Sequence, residues 1–142
     1  MAMLLGFLAA NTIVAQDSPA QYQNFVADIE LQSADQFLEL LDRAEQLMLA
    51  GVVTPGSGPK VTLVLHGPVV RTLLRDNYRD NKPLVDKAAS LSALEVIDVK
   101  ACATWMTING VNPGNLQPFI EIVPYGSAEV QRLLNEHLYR KF

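Results

Sequence analysis

Two spacings of apolar residues alternate along the chain, one typical of β-strands and one typical of α-helices. Apolar residues that are adjacent or recur at every second position mark four strand segments: residues 25–31, 61–65, 94–101 and 119–123. Apolar residues at helical spacing follow each of these segments. The alternation predicts an α/β domain, a three-layer α/β/α architecture built on a mainly parallel sheet of four to five strands.

Several predicted helices carry boundary signals. Ser33 stands three residues before Gln36, the arrangement of a capping box, and Gly51 suits the left-handed position that closes the same helix. Pro68 fits the first position of the next helix, where its missing N–H does no harm. Ser127 is predicted to cap the last helix. The residues of that helix expected to lean inward are Val130, Leu133, Leu134, His137 and Leu138.

Composition places the chain among ordinary globular domains. Its 142 residues, 49% hydrophobic and 18% charged, suit one domain with a core that needs no disulfide or metal. The formal net charge of −4 offers no electrostatic attraction to nucleic acid, so nucleic-acid binding is not expected. One cysteine cannot close an intramolecular disulfide, and one cysteine with two separated histidines has no metal-ligand spacing. We therefore expect neither a metal nor another cofactor.

The first sixteen residues contain no charged side chain. A short apolar run at residues 3–10 is followed by small residues, with Ala15 a candidate cleavage point, which resembles a secretory signal peptide. This interpretation predicts a periplasmic or secreted domain without a membrane span in the mature chain. The alternative is an apolar N-terminal helix docked on a cytoplasmic domain.

The candidate chemistry lies at predicted strand ends. Cys102 follows the third strand and precedes a predicted helix at residues 103–109, so the first N–H groups of that helix are expected to stabilise a nucleophilic thiolate. Ligands of parallel α/β sheets gather at this edge. His66 ends the second strand and either orients or deprotonates the thiol or hydrogen-bonds the backbone. Gly67 is expected to allow a sharp turn there.

Two further residues are candidates for the wall of a pocket beside Cys102. Trp105 and Met106 follow the cysteine on the same predicted helix. Aromatic and methionine side chains at helical spacing also serve as core or as subunit contacts. Both interpretations remain open from the residues alone.

Three segments together resemble the DsrE/DsrF-like sulfur-relay family. The run from Val99 to Val111, VKACATWMTINGV, is similar to the cysteine segment of that family, in which an apolar strand ends in a cysteine and a short helix runs to a glycine. The strand ending in His66-Gly67 and the segment IVPYG at residues 122–126 before the last helix resemble it as well. The likeness covers residues 25–134 and identifies residues 24–142 as a DsrE/DsrF-like domain.

The resemblance implies a homo-oligomer, a trimer or hexamer, and a persulfide carried on Cys102. The first hypothesis is therefore a sulfur carrier that passes this sulfur from a donor to a partner thiol, and whether it turns over as an enzyme stays open. The second is a non-catalytic oligomeric domain that binds a small molecule or a protein in the same crevice. The third, a thiol-redox enzyme, would need a resolving cysteine from a partner, since the chain has only one.

Overall fold

A parallel sheet forms the centre of the computed structural model, which describes residues 24–56, 60–137 and 139–142. The strands are β1 Phe25–Glu30, β2 Val61–His66, β3 Ile97–Cys102, β4 Ile120–Val123 and β5 Arg140–Lys141. They lie side by side in the order β4-β3-β2-β1-β5, and every neighbouring pair is parallel. The predictions for residues 1–16 and for Leu138 lie outside the described residues.

Helices cover both faces of this sheet. The α-helices of the described residues are α1 Ala34–Leu49, α2 Lys82–Ala93, α3 Ala103–Ile108 and α4 Gly126–Glu136. Short 3-10 helices occupy Pro68–Leu73, Arg75–Asn77, Arg79–Asn81 and Pro113–Asn115. The predicted three-layer α/β/α fold with a parallel sheet is confirmed. Within the described ranges, no helix is long and apolar enough to cross a bilayer.

Successive residues of the central strands face opposite layers, as the pleat of a strand requires. Leu63 of β2 packs in the larger core with Phe37 of α1, whereas the next residue, Val64, packs in a smaller core beneath α4. Parallel pairing keeps residues of the same level on the same face. His66 lies two residues after Val64, and Cys102 lies two residues after the residue of β3 that pairs with Val64. Both side chains therefore lie on the α4 face of the sheet.

The signals at the two ends of α1 are confirmed. The Ser33 hydroxyl accepts a hydrogen bond from the backbone N–H of Gln36 at 3.3 Å. The Gln36 side chain accepts one from the backbone N–H of Gln32, one residue earlier than in a standard capping box. Gly51 has a φ of 74° at the other end, the left-handed conformation that glycine adopts without steric cost.

Pro68 is the first residue of its helix as predicted, and that helix is a 3-10 helix. Two other predicted boundaries are wrong, each because backbone hydrogen bonding overrides the side-chain pattern. The third strand begins at Ile97 and not at residue 94, because the Leu94 N–H still bonds the Ser90 carbonyl at the end of α2. The last helix begins at Gly126, so Ser127 lies inside its first turn and does not cap it.

The C-terminal residues depart from the helical pattern as well. His137 does not lean inward; it is exposed just after α4, with its Nε2 atom 2.7 Å from the Arg132 guanidinium. The chain then turns back to form β5, in which the Arg140 N–H bonds the Asn24 carbonyl and the Phe142 N–H bonds the Val26 carbonyl. This pairing covers the open edge of β1.

Truncation of Phe37 on α1 should destabilise the fold strongly. Phe37 is fully buried in the larger core, so Phe37→Ala should lower the free energy of unfolding by about 3–5 kcal/mol. Leu49→Ala on the same helix is the matched control, because Leu49 is 70% exposed and its loss should change stability by less than about 0.5 kcal/mol. Urea unfolding followed by circular dichroism measures both, and equal losses in the two variants would contradict the assignment of the core.

Candidate functional site

The carboxyl ends of β2 and β3 bring His66 and Cys102 together. Leu65 pairs with Ala101 in the parallel register, so the next residues along the two strands, His66 and Cys102, lie level with each other. Neighbouring strands lie about 4.8 Å apart, and both side chains are on the α4 face. This is the edge of a parallel sheet at which ligands gather.

A cavity of about 200 Å³ opens beside these two residues. Its lining residues are His66, Cys102, Thr104, Trp105, Ile108, Tyr125, Gly126 and Ser127. Cys102 is only 5% exposed, yet it borders this cavity. The thiol is therefore neither displayed on the surface nor sealed inside the core.

The beginning of α4 lies directly against the Cys102 sulfur. The backbone N–H of Gly126 donates a hydrogen bond to Cys102 Sγ at 3.3 Å. The first N–H groups of a helix have no partner within the helix and lie at the positive end of its dipole, so this contact stabilises negative charge on sulfur. Cys102 is also the N-cap residue of α3. Its side chain makes no hydrogen bond to the first N–H groups of α3, however, so the N–H at the sulfur comes from α4 and not, as the sequence predicted, from α3.

Residue 126 must be small for α4 to approach this closely. A Cβ atom at Gly126 would lie 3.3 Å from Cys102 Cβ and 3.3 Å from Val64 Cγ1, and 3.7 Å from the sulfur. The first two distances are tighter than nine in ten Cβ contacts in proteins, so a neighbouring atom would have to shift by a few tenths of an ångström. Sequence reasoning missed Gly126 because its role depends on β4 lying next to β3, although a glycine that follows a strand and opens a helix was a visible signal.

His66 makes its hydrogen bond to a carboxylate on the neighbouring strand. Its Nε2 atom lies 2.7 Å from Asp28 Oδ1 of β1. Since a carboxylate only accepts, Nε2 carries the hydrogen and, in the neutral ring, Nδ1 is the acceptor. Asp28 was not identified from the sequence. Gly67 has a φ of 88° and its missing side chain faces Glu30, so it shapes the turn but does not line the cavity.

A buried ion pair anchors the first turn of α4 to β3. Lys100, 7% exposed and two residues before Cys102, bonds Glu129 at 2.7 Å and lies 3.5 Å from Glu121. Burial lowers the pKa of Lys100, but the hydrogen bond to Glu129 and the nearby carboxylates outweigh burial and raise it. The hydrogen bonds from Arg132 and Lys100 hold the pKa of Glu129 at about 2 against the desolvation that raises it.

Trp105 and Met106 differ in what they contact, although both touch the larger core. Trp105 is half-buried and lines the cavity, with the Arg71 guanidinium 6.0 Å from its ring. Met106 is fully buried in the larger core and does not line the cavity. The structure therefore brings together Cys102, His66 and Trp105, and it leaves Met106 and Gly67 outside the lining.

No metal-binding cluster of three His, Cys, Asp or Glu side chains occurs among residues 24–56, 60–137 and 139–142. The polar groups at the cavity are the thiol, the imidazole, the hydroxyls of Thr104, Ser127 and Tyr125, and the backbone N–H at the beginning of α4. A thiolate held in this way can attack an electrophilic sulfur.

Comparison with known proteins supports the fold. No family model matches the sequence, and no curated protein matches it. The structure is similar to that of MTH1491, a protein of unknown function from Methanobacterium thermoautotrophicum, with a TM-score of 0.67 and 17% sequence identity over 84% of this chain and 97% of that chain. At this identity the similarity shows the fold alone.

Substitution of Gly126 by alanine should disturb both stability and the thiol. The added Cβ atom has to displace Cys102 or Val64, so Gly126→Ala should lower the free energy of unfolding by about 1–3 kcal/mol and slow alkylation of Cys102 in the folded protein. Ser127→Ala is the control at the next position of the same helix, where the residue is exposed. A Gly126→Ala protein as stable and as reactive as the control would contradict the close approach of α4.

The ion pair at Glu129 should make stability depend on acid pH. The pKa of this carboxyl falls from 4.5 to about 2 on folding, so its stabilisation is present above pH 4.5 and is lost as the pH falls toward 2. Glu129→Gln should be less stable near neutral pH by at most about 3 kcal/mol, and the difference should shrink in acid. Urea midpoints across this pH range test it, with the exposed Glu39→Gln as control. A difference independent of pH would contradict the assignment.

Proposed function

We propose that this protein is a sulfur carrier in which Cys102 accepts a sulfane sulfur, holds it as a persulfide and passes it to a partner thiol. One observation carries the proposal: the Cys102 sulfur borders a cavity and accepts the N–H of Gly126 at a helix N-terminus. A buried thiol of purely structural use needs neither feature.

The transfer step balances in atoms and charge. The Cys102 thiolate attacks the outer sulfur of a donor persulfide, R–S–SH, so that a new S–S bond forms on Cys102 and the S–S bond of the donor breaks. The donor leaves as the thiolate R–S⁻ and takes up a proton. The Gly126 N–H compensates the charge on the attacking sulfur before the step.

The cavity favours a donor that inserts only its sulfur-bearing end. Its volume of about 200 Å³ is below the range of about 300–1,000 Å³ common for small-molecule sites. Among the described residues no lysine or arginine side chain lines the cavity, so its walls provide no permanent cationic side chain for an anionic donor. We propose a persulfide on a small thiol or on a protein chain as donor, with its remainder against Ile108 and Tyr125, which are 77% and 55% exposed.

An exposed apolar residue away from the cavity supports the proposed assembly. A DsrE/DsrF-like domain that forms a homo-trimer or homo-hexamer would cover Ile122 of the edge strand β4, which is 44% exposed. The uncharged residues 1–16 support export to the periplasm or beyond, where the donor and acceptor would then be found.

The alternative is a non-catalytic domain that binds a small molecule or a protein in the same crevice. The observation that favours it is the burial of Cys102, which leaves little of the sulfur open to a bulky reactant. In that case Trp105 and Tyr125 provide the binding surface and Cys102 only packs beneath α4.

Mass spectrometry after incubation with cysteine persulfide separates the two functions. The wild-type protein should gain the mass of one sulfur atom, because Cys102 is its only cysteine. A following incubation with an excess of dithiothreitol should remove that sulfur and regenerate the original mass, as required of a carrier.

The control for this experiment is Cys102→Ser, which should keep the fold and gain no sulfur. Trp105→Ala should keep the thiol and open the cavity, so it should still gain sulfur. An unchanged wild-type mass at every donor concentration would reject the carrier and leave the binding domain.

A further inference from the structure

A second polar contact at this edge of the sheet, besides the bond from the Gly126 N–H to Cys102, is the hydrogen bond between Asp28 and His66. Asp28 lies on β1, His66 on β2 and Cys102 on β3, so three adjacent strands contribute one side chain each. The three side chains share the α4 face of the sheet. His66 and Cys102 line the same cavity, and His66 Nε2 lies 2.7 Å from Asp28 Oδ1.

We infer that Asp28 is a positioning residue, which holds His66 in the tautomer that can take the proton of the Cys102 thiol. The inference rests on the proposed sulfur transfer for its biological meaning. With Nε2–H donated to the carboxylate, Nδ1 is left as the basic nitrogen of the ring.

The proton step crosses the cavity that His66 and Cys102 both line, since no hydrogen bond joins these two described side chains directly. The S–H bond of Cys102 breaks and its proton moves to Nδ1 of His66, which leaves a thiolate beside the Gly126 N–H and an imidazolium beside Asp28. When the donor persulfide is attacked, the imidazolium returns this proton to the leaving thiolate. His66 is therefore neutral again at the end of the step and still hydrogen-bonded to Asp28.

The charged surroundings of His66 single out Asp28. Two carboxylates of β1 are on the same face of the sheet as His66. Glu30 pairs with His66 in the parallel register, and Asp28 lies two residues before Glu30. Only Asp28 bonds the ring in the described residues. Cys102 of β3 and Tyr125 before α4 are the other titratable groups that line the cavity with His66.

The experiment measures the rate at which iodoacetamide alkylates Cys102 near neutral pH. His66→Gln should slow alkylation on the order of 100-fold, the lower range for loss of a base, and Asp28→Asn on the order of tenfold, since the imidazole remains. The double variant should be no slower than His66→Gln alone, because Asp28 acts only through His66. Glu30→Gln, which removes the same charge from the same strand face, should react within about twofold of wild type.

The imidazole tautomer provides a measurement that does not depend on a mutant keeping its fold. The ¹⁵N shifts of His66 in the wild-type protein should report a protonated Nε2 and an unprotonated Nδ1 in the neutral ring. Asp28→Asn should shift this tautomer balance while Glu30→Gln leaves it unchanged.

Either of two results would overturn the role of Asp28: an Asp28→Asn rate equal to that of wild type, or losses that add in the double variant. A wild-type His66 with the hydrogen on Nδ1 would do the same. These outcomes are separate from the sulfur-transfer test, because iodoacetamide needs no sulfur donor and alkylates any thiolate that it can reach.

Discussion

The hydrogen bond from the Gly126 N–H to the Cys102 sulfur is the contact on which the candidate site depends. It places the N-terminus of an eleven-residue helix against the last residue of β3. Glycine at position 126 permits the approach, and the buried Lys100–Glu129 pair fixes the first turn of α4 two residues along the same strand. Packing at Gly126, the backbone hydrogen bond and the ion pair thus all hold the N-terminus of α4 against the Cys102 sulfur.

The same arrangement explains how a buried thiol can remain available for chemistry. The walls of the cavity mix apolar side chains with hydroxyls and the His66 imidazole, and the Gly126 N–H is a permanent backbone dipole directed at the sulfur. A thiol exposed on the surface would lack this dipole at close range, and one sealed in the core would have no reactant. The 5% exposure of Cys102 beside an open volume lies between those cases.

Sequence patterns predicted strands β1 to β4, most helices and the location of Cys102, because those features depend on local periodicity. They did not predict Asp28 or Gly126, whose roles require the strand order β4-β3-β2-β1 to bring distant segments together. They did not determine which side of α3 faces the core, so Met106 and Trp105 were equal candidates for the wall of the pocket. In the structure Met106 packs in the larger core. β5 has two exposed residues and backbone pairing only, and such a strand has no side-chain pattern to detect.

Whether reagents reach Cys102 through the cavity of the folded protein is the central question, and the alkylation rate as a function of urea answers it. Access through the cavity predicts a rate constant that stays flat at urea concentrations below the unfolding transition. Access only by global unfolding would give a rate that rises exponentially from the first additions of urea, with the slope of the equilibrium unfolding curve. A flat profile supports the site described above, and the steep profile would contradict it.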